Sequence, residues 1–174
     1  MQSEPTEWFA LSATFGRALK AKDFLESRSV RCFVPMKHEV VSDGHQGKVR
    51  KLVPAITNLL FAHTTRRSIQ ALKSEVSYLQ YLTRPDGARR IPIVVPDRQM
   101  EQFMFMVDYS EDAIEMFASP LKPGQSIEVI KGPLAGLKGE LIEIEGKSKV
   151  VVHLDLLGSA GVDMPAGFVI PLPH

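Results

Sequence analysis

Residue types that carry out covalent or metal chemistry are few and scattered in this chain. Its five histidines, His38, His45, His63, His153 and His174, have no cysteine partner at metal-ligand spacing. The single cysteine, Cys32, lies between Arg31 and Phe33 in an apolar run. A nucleophilic thiol needs an oriented base beside it, so a buried structural cysteine is the expectation. Gly124, Gly132, Gly136 and Gly139 fit neither a P-loop nor a dinucleotide fingerprint, because no Lys-Ser/Thr and no strand–helix–strand context follows. They read as turn glycines. No catalytic residue, metal or cofactor is expected, and the remaining chemistry is that of binding.

Binding by charge is the first possibility. The chain carries 21 Lys+Arg against 20 Asp+Glu, a net charge of +1. The distribution is uneven. Arg17–Arg98 holds 16 basic and 7 acidic residues, Glu101–Glu115 holds 5 acidic and no basic ones, and residues 121–174 hold 5 lysines and 6 acids. A basic body suggests a polyanionic or acidic partner, with Arg50, Lys51, Arg66, Arg67, Arg89 and Arg90 as candidates for nucleic acid or an acidic protein surface. A solvated surface with helix-end charges explains charge alone equally well and is the plainer reading.

The elements that would position these residues follow from period and punctuation. At 174 residues, 44% hydrophobic and 24% charged, the chain has the composition of one large or two small globular domains. No apolar run is long enough to span a bilayer, and MQSEPTEWFAL lacks the regions of a signal peptide. With a single cysteine, this predicts a cytoplasmic protein that does not enter the membrane. Residues 7–12 read as a buried strand ended by Gly16. An amphipathic helix runs from there to about Ser29, with Thr14 as a candidate cap. A strand follows over 30–35. Residues 38–51 read as a flexible hairpin tip, 52–62 as one apolar strand, 66–72 as a short helix, and 76–83 as a strand. The sequence RPDGARR at 84–90 is a turn, 91–95 a strand, and Pro96-Asp97 opens a helix. The acidic stretch 109–121, with its Ser119-Pro120, reads as a linker. Strands are then expected over 124–130, 138–144, 149–156 and 167–171, with turns at 145–147 and 158–161 and a core of Val150–Val152 and Phe168–Ile170. The prediction is an α+β sandwich with helices on a mostly antiparallel sheet over residues 1–108, then a small β-barrel over 122–174.

Two stretches carry a family resemblance. PGQSIEVIKGPLAGLKGEL at 123–141 resembles the KOW motif of ribosomal proteins and transcription elongation factors, and LDLLGSAGVDMPAGFVIPL at 154–172 is similar to the end of that domain. WFAL at 8–11, CFVPM at 32–36, GKVRKLVPAITNLLF at 47–61 and IPIVVPD at 91–97 resemble the N-terminal (NGN) domain of NusG-type factors. The resemblance covers almost the whole chain, in the family's domain order. It implies an NGN sandwich followed by an SH3-like KOW barrel. It also implies a transcription elongation or antitermination factor whose N-domain docks on the clamp helices of the largest RNA polymerase subunit and suppresses pausing. The KOW domain would recruit a ribosomal protein or a termination factor. A monomer is expected.

The resemblance also names residues. The family's polymerase-facing segment corresponds to Ala55–Phe61, where Ile56, Thr57 and Leu59 replace its Phe, Pro and Tyr, so the aromatic anchors are lost while apolar character survives. Ile56, Asn58, Leu59 and Phe61 are thereby polymerase-contact candidates. Trp8 joins them, although core is the commoner place for a tryptophan in a strand. Asn58 matches specialised RfaH-type paralogues that act on surface-polysaccharide operons. Arg50, Lys51, Arg66 and Arg67 could meet upstream or non-template DNA. In the KOW loop, Pro133, Leu134 and Leu137 are the partner-contact candidates, with Leu134 in place of the family's Phe. An alternative is a KOW-type RNA- or ribosome-binding module acting without polymerase. The acidic balance of 121–174 counts against it. The Gly, Pro and β-branched content of that segment predicts a constitutive β-structure, with no helical masking form.

Overall fold

The computed structural model describes residues 3–42, 44–45, 47–118, 121–155 and 157–173; Ser119-Pro120, Leu156 and His174 lie outside them. Contacts divide the chain into two compact units, residues 1–94 and 95–174.

The first unit is organised on strand β1, Glu7–Ala13, in which all but Glu7 and Ser12 are buried. Helix α1 (Ala18–Ser27), β2 (Arg31–Phe33), β3 (Met36–Ser42), β4 (Lys48–Pro54), β5 (Leu59–Thr64), α2 (Arg66–Lys73), β6 (Leu79–Tyr81), β7 (Thr83–Asp86), β8 (Arg89–Pro92) and β9 (Val94–Val95) follow. The main sheet follows the path β2-β5-β1-β6, antiparallel at each of these steps, with Ala10 opposite Phe61 and Ser12 opposite Gln80, and β9 also pairs with β1. Phe9, Leu11 and Ala13 point to one face, where they pack with Ala18, Ala21 and Leu25 of α1 and Ile69 and Leu72 of α2. The i, i+3, i+7 spacing of the α1 residues is that of one helical face. Thr65 caps α2, its hydroxyl oxygen accepting from the Ser68 N–H at 3.1 Å.

Several sequence expectations need correction here. Thr14 does not cap α1; the helix begins after Arg17 without a side-chain cap, and the Thr14 hydroxyl donates instead to the Tyr78 carbonyl. The apolar run 52–62 is two strands, not one. Pro54 closes β4, and Asn58, with φ +71°, turns the chain into β5. The strand expected over 76–83 shortens to β6. The polar excursion at 38–51 is an extended two-stranded ribbon, β3–β4, paired from Met36–Pro54 to Ser42–Lys48.

The second unit contains α3 (Asp97–Tyr109), β10 (Glu115–Phe117), β11 (Gln125–Val129), β12 (Lys138–Ile144), β13 (Lys147–Leu154), β14 (Gly158–Asp163), a 3-10 turn at Ala166–Phe168, and β15 (Val169–Pro171). Pro96 stands at the start of α3, as its fixed φ favours. The sheet runs β10-β14-β13-β12-β11-β15, all antiparallel; among the described residues no ladder joins β10 to β15, so the path is open. The Glu145-Gly146 turn between β12 and β13 has positive φ at both residues, as a tight hairpin requires. Val150, Val151 and Val152 are buried, as expected, but Ile170 is 42% exposed and Phe168 only half-buried. The turn expected at 158–161 is strand β14, because Ser159, Ala160 and Gly161 are enclosed between β13 and β10.

Strand β10 arises from the acidic stretch that reads as linker. Its seat is made by two features that lie far from it in the sequence. Lys149 on β13 reaches Glu115 at 3.1 Å and Asp163 at 2.5 Å, and Gly158 lets the Phe117 carbonyl approach where a Cβ would stand 2.1 Å from it. Gly158 also has φ +118°. Gly158→Ala is therefore expected to destabilise this unit by about 2–4 kcal/mol, read as a lowered melting temperature.

The same lysine gives a pH signature. The hydrogen bond from Lys149 holds the Asp163 carboxyl below the usual carboxylate range, and its partners Asp163 and Glu115 raise Lys149. A lowered carboxylate contributes stability above its unfolded value and loses it as pH falls through the folded one. A raised ammonium contributes below its unfolded value and loses it as pH rises through the folded one. The pair is thus constant across neutral pH. In Asp163→Asn, the fall in melting temperature below the ordinary carboxylate range should be shallower than in the unmodified chain.

Candidate functional site

The residues expected to meet a polymerase divide by burial. Trp8, Leu59 and Phe61 share one face of the main sheet, opposite the face that packs on α1 and α2, since Ser12 pairs with Leu59, Ala10 with Phe61 and Trp8 with His63. All three are buried. On that face the Trp8 ring lies 4.9 Å from the His63 ring, and the Arg31 guanidinium stands over Trp8 at 5.2 Å. Phe33 faces Phe61 at 6.5 Å. Ile56 and Asn58 are both half-buried in the β4–β5 turn.

Asn58 has a defined structural task. It adopts the left-handed conformation at φ +71°, which asparagine tolerates better than most residues. Its side-chain Oδ1 accepts from the Gly16 N–H at 2.8 Å, and its carbonyl accepts from the Ala13 N–H at 2.8 Å. On the other side of the same turn, the Thr14 N–H donates to the Tyr78 carbonyl at 2.9 Å. The β1–α1 turn is thus clamped from two directions. Within it, Phe15 takes φ +59° and Gly16 φ +69°. For a bulky residue such a φ costs about 1–3 kcal/mol and persists only where the surroundings over-determine it. This feature is invisible to a pattern search, because Phe-Gly after a strand looks like an ordinary stop.

The cationic candidates stand on separate elements. Arg50 and Lys51 are exposed on β4 of the ribbon, opposite Val40 and Glu39, and so point to its two different faces. Val40, Val49 and Leu52 are exposed beside them. Arg66 and Arg67 are exposed in the first turn of α2, where the Arg67 N–H donates to Glu4 at 3.1 Å. Arg89 and Arg90 lie on β8; Arg90 is tied to its own hairpin through the Thr83 hydroxyl at 2.8 Å and the Thr83 carbonyl at 2.9 Å.

In the 131–137 loop, Pro133 is exposed, while Leu134 and Leu137 are buried. The loop folds on itself: Gly136 N–H donates to the Val129 carbonyl at 2.8 Å and Leu137 N–H to the Leu134 carbonyl at 3.0 Å. Gly132 and Gly136 supply the positive φ this requires, +80° and +99°. The two leucines thus face inward and anchor the loop, with Pro133 presented outside. Elsewhere in this unit a carboxylate–imidazole–hydroxyl chain links Glu140 of β12, His153 of β13 and Ser159 of β14, with His153 Nδ1 2.7 Å from the Ser159 Oγ. Ser159 is only 2% exposed, and the chain laces three strands together. Sequence reasoning missed it because its members are 13 and 6 residues apart on different strands. Cys32 is partly buried; burial, with Glu26 adding to it, pushes its thiol up to about 12, so it remains protonated.

The inward Leu134 has a measurable consequence. Leu134→Ala leaves a cavity and is expected to cost about 2–4 kcal/mol in chemical denaturation, whereas Pro133→Ala should stay within about 0.5 kcal/mol.

Comparisons with known proteins bear on the first unit most directly. A search of curated proteins returned no match. Among solved structures, the chain is similar to the MjSpt4:Spt5 complex in conformation B, at 12% identity and a TM-score of 0.30, over 96% of this chain and 97% of that one. No helix among the described residues is long and apolar enough to cross a membrane. The family model NusG, described as transcription termination factor nusG, matches residues 6–104, a span that includes β1, the Asn58 turn and α2. With more than half of its length matched in this way, the chain belongs to the NusG family.

Proposed function

We propose that this protein is a transcription elongation and antitermination factor. Residues 1–108 bind RNA polymerase at the clamp helices of its largest subunit and reduce pausing or termination. Residues 109–121 connect them to residues 122–174, which act as a KOW domain of the SH3-like barrel type. That domain recruits a second factor, such as a ribosomal protein or a termination factor, with Pro133 at the exposed tip of its loop. The factor is a cytoplasmic monomer without enzymatic activity.

The observation that carries this reading is the family match over residues 6–104. Two others support its details. Asn58 and the loss of aromatic residues at 56 and 59 favour a specialised factor serving surface-polysaccharide operons over a general one. The exposed cations Arg50 and Lys51 on the β3–β4 ribbon, with Arg66 and Arg67 on α2, favour contact with upstream or non-template DNA, where each phosphate contact adds to affinity and to its salt dependence.

The test is capture of core RNA polymerase by the full-length chain, followed by transcription through a pause site and a terminator. Binding with increased read-through is the expected result. Failure to bind polymerase, combined with salt-sensitive binding of free RNA, would replace this reading with that of an RNA- or ribosome-binding module.

A further inference from the structure

The largest exposed apolar side chain of the first unit is also held in a left-handed backbone conformation. Phe15 is 86% exposed and held at φ +59° in the turn between β1 and α1. Nothing in the packing of the unit calls for an aromatic ring there, and a glycine would hold the same turn without strain. The turn is nevertheless fixed by the Asn58 and Tyr78 bonds on its two sides. A strained residue that is over-determined by its surroundings and left almost wholly outside the core points to a role outside the fold.

The surroundings of Phe15 say what kind of partner fits. Leu19, four residues on in α1, is 42% exposed, and Ile56 is half-buried in the turn that ends at Asn58. Arg17 stands 5.5 Å from the Phe15 ring and 5.5 Å from the Tyr78 ring, and Lys20 stands 5.4 Å from Tyr78. Among the described residues, neither cation pairs with a carboxylate. The surface is therefore an aromatic and aliphatic centre flanked by uncompensated positive charge.

We infer that Phe15, presented by Asn58, is the aromatic anchor that seats this unit in an apolar groove of a protein partner whose rim carries carboxylates. The inference rests on the polymerase-binding reading above and deepens it. The 55–61 segment lacks aromatic side chains at 56 and 59, and Asn58 ties that segment by its side chain to the turn that carries Phe15. The anchor is supplied from the neighbouring turn. Asn58 acts here as a positioning residue. A single-stranded nucleic acid fits less well, since stacking platforms present several exposed rings, and Tyr78, the other ring beside Arg17, is buried. Leu19 and Ile56 add apolar area that suits a protein groove and offer no face for stacking.

The experiment compares the full-length chain with Phe15→Gly, Phe15→Ala, Asn58→Ala and Arg17→Glu. It measures affinity for core RNA polymerase and for mixed-sequence single-stranded DNA and RNA oligonucleotides, together with melting temperature. Phe15→Gly should weaken polymerase binding about tenfold or more, as loss of an aromatic anchor does, while its melting temperature equals or exceeds that of the unmodified chain because the strain is relieved. Phe15→Ala should bind as weakly as Phe15→Gly. Arg17→Glu should also weaken binding, most at low salt. Asn58→Ala should lower both affinity and melting temperature. Unchanged polymerase affinity in Phe15→Gly, where the unmodified chain binds, overturns this inference alone. So does a fall in its melting temperature that accounts for the loss, or a loss confined to the oligonucleotides. No polymerase binding by the unmodified chain overturns both this inference and the proposed function.

Discussion

A strand that is buried on both faces and paired on both edges sets the terms for everything around it. β1 has β5 on one side and β6 on the other, so its backbone bonds are satisfied only if both neighbours are in register. Its side chains alternate between Phe9, Leu11 and Ala13 on one face and Trp8, Ala10 and Ser12 on the other. A slip of one residue would exchange the two sets. The chain must leave such a strand abruptly to start α1, and it does so through Phe15 and Gly16. The left-handed turn is thus a consequence of β1, and Asn58 and Tyr78 hold it because they flank the two strands that pair with β1.

This coupling gives one surface several contributors. The β4–β5 turn lies some forty residues along the chain from the β1–α1 turn and the first turn of α1 that follows it, yet a hydrogen bond joins the two turns directly. Substitutions in one stretch can then be offset in another. The aliphatic residues at 56 and 59 and the aromatic residue at 15 are best understood together. The buried face that carries Trp8, Leu59 and Phe61 adds no exposed contact area of its own.

Element identity was largely legible in the sequence because it depends on local period and punctuation. β1, α1, α2, α3 and the strands of 125–154 follow from apolar spacing and from Pro and Gly at their ends. The features that were not legible depend on distant partners. Asn58 splits an apolar run that reads as one strand, because its bonds go to residues 13 and 16. Glu115–Phe117 becomes a strand through Lys149, Gly158 and Gly161, and nothing in the acidic stretch itself signals this. Residues 158–161 read as a turn from their glycines. Here the glycines serve close approach of a neighbouring strand, and composition cannot separate that from a turn. The candidate site was legible as a segment but not as a surface. Burial of Leu134, Leu137, Trp8 and Phe61 is decided by which side of a strand or loop each residue occupies, and the exposure of Phe15 by a backbone angle.

The open sheet of the second unit would ordinarily carry a hazard, since unpaired strand edges can template association with other chains. Both of its end strands, β10 and β15, are only three residues long. Pro171 removes one donor from β15, and Glu115 on β10 carries a charge that is engaged by Lys149. Short, proline-bearing or charged edges are poor templates for strand addition. The acidic stretch before the sheet therefore does more than connect. By adding a brief, charged terminal strand, it leaves the β14 edge covered and guards the unit against edge-to-edge aggregation.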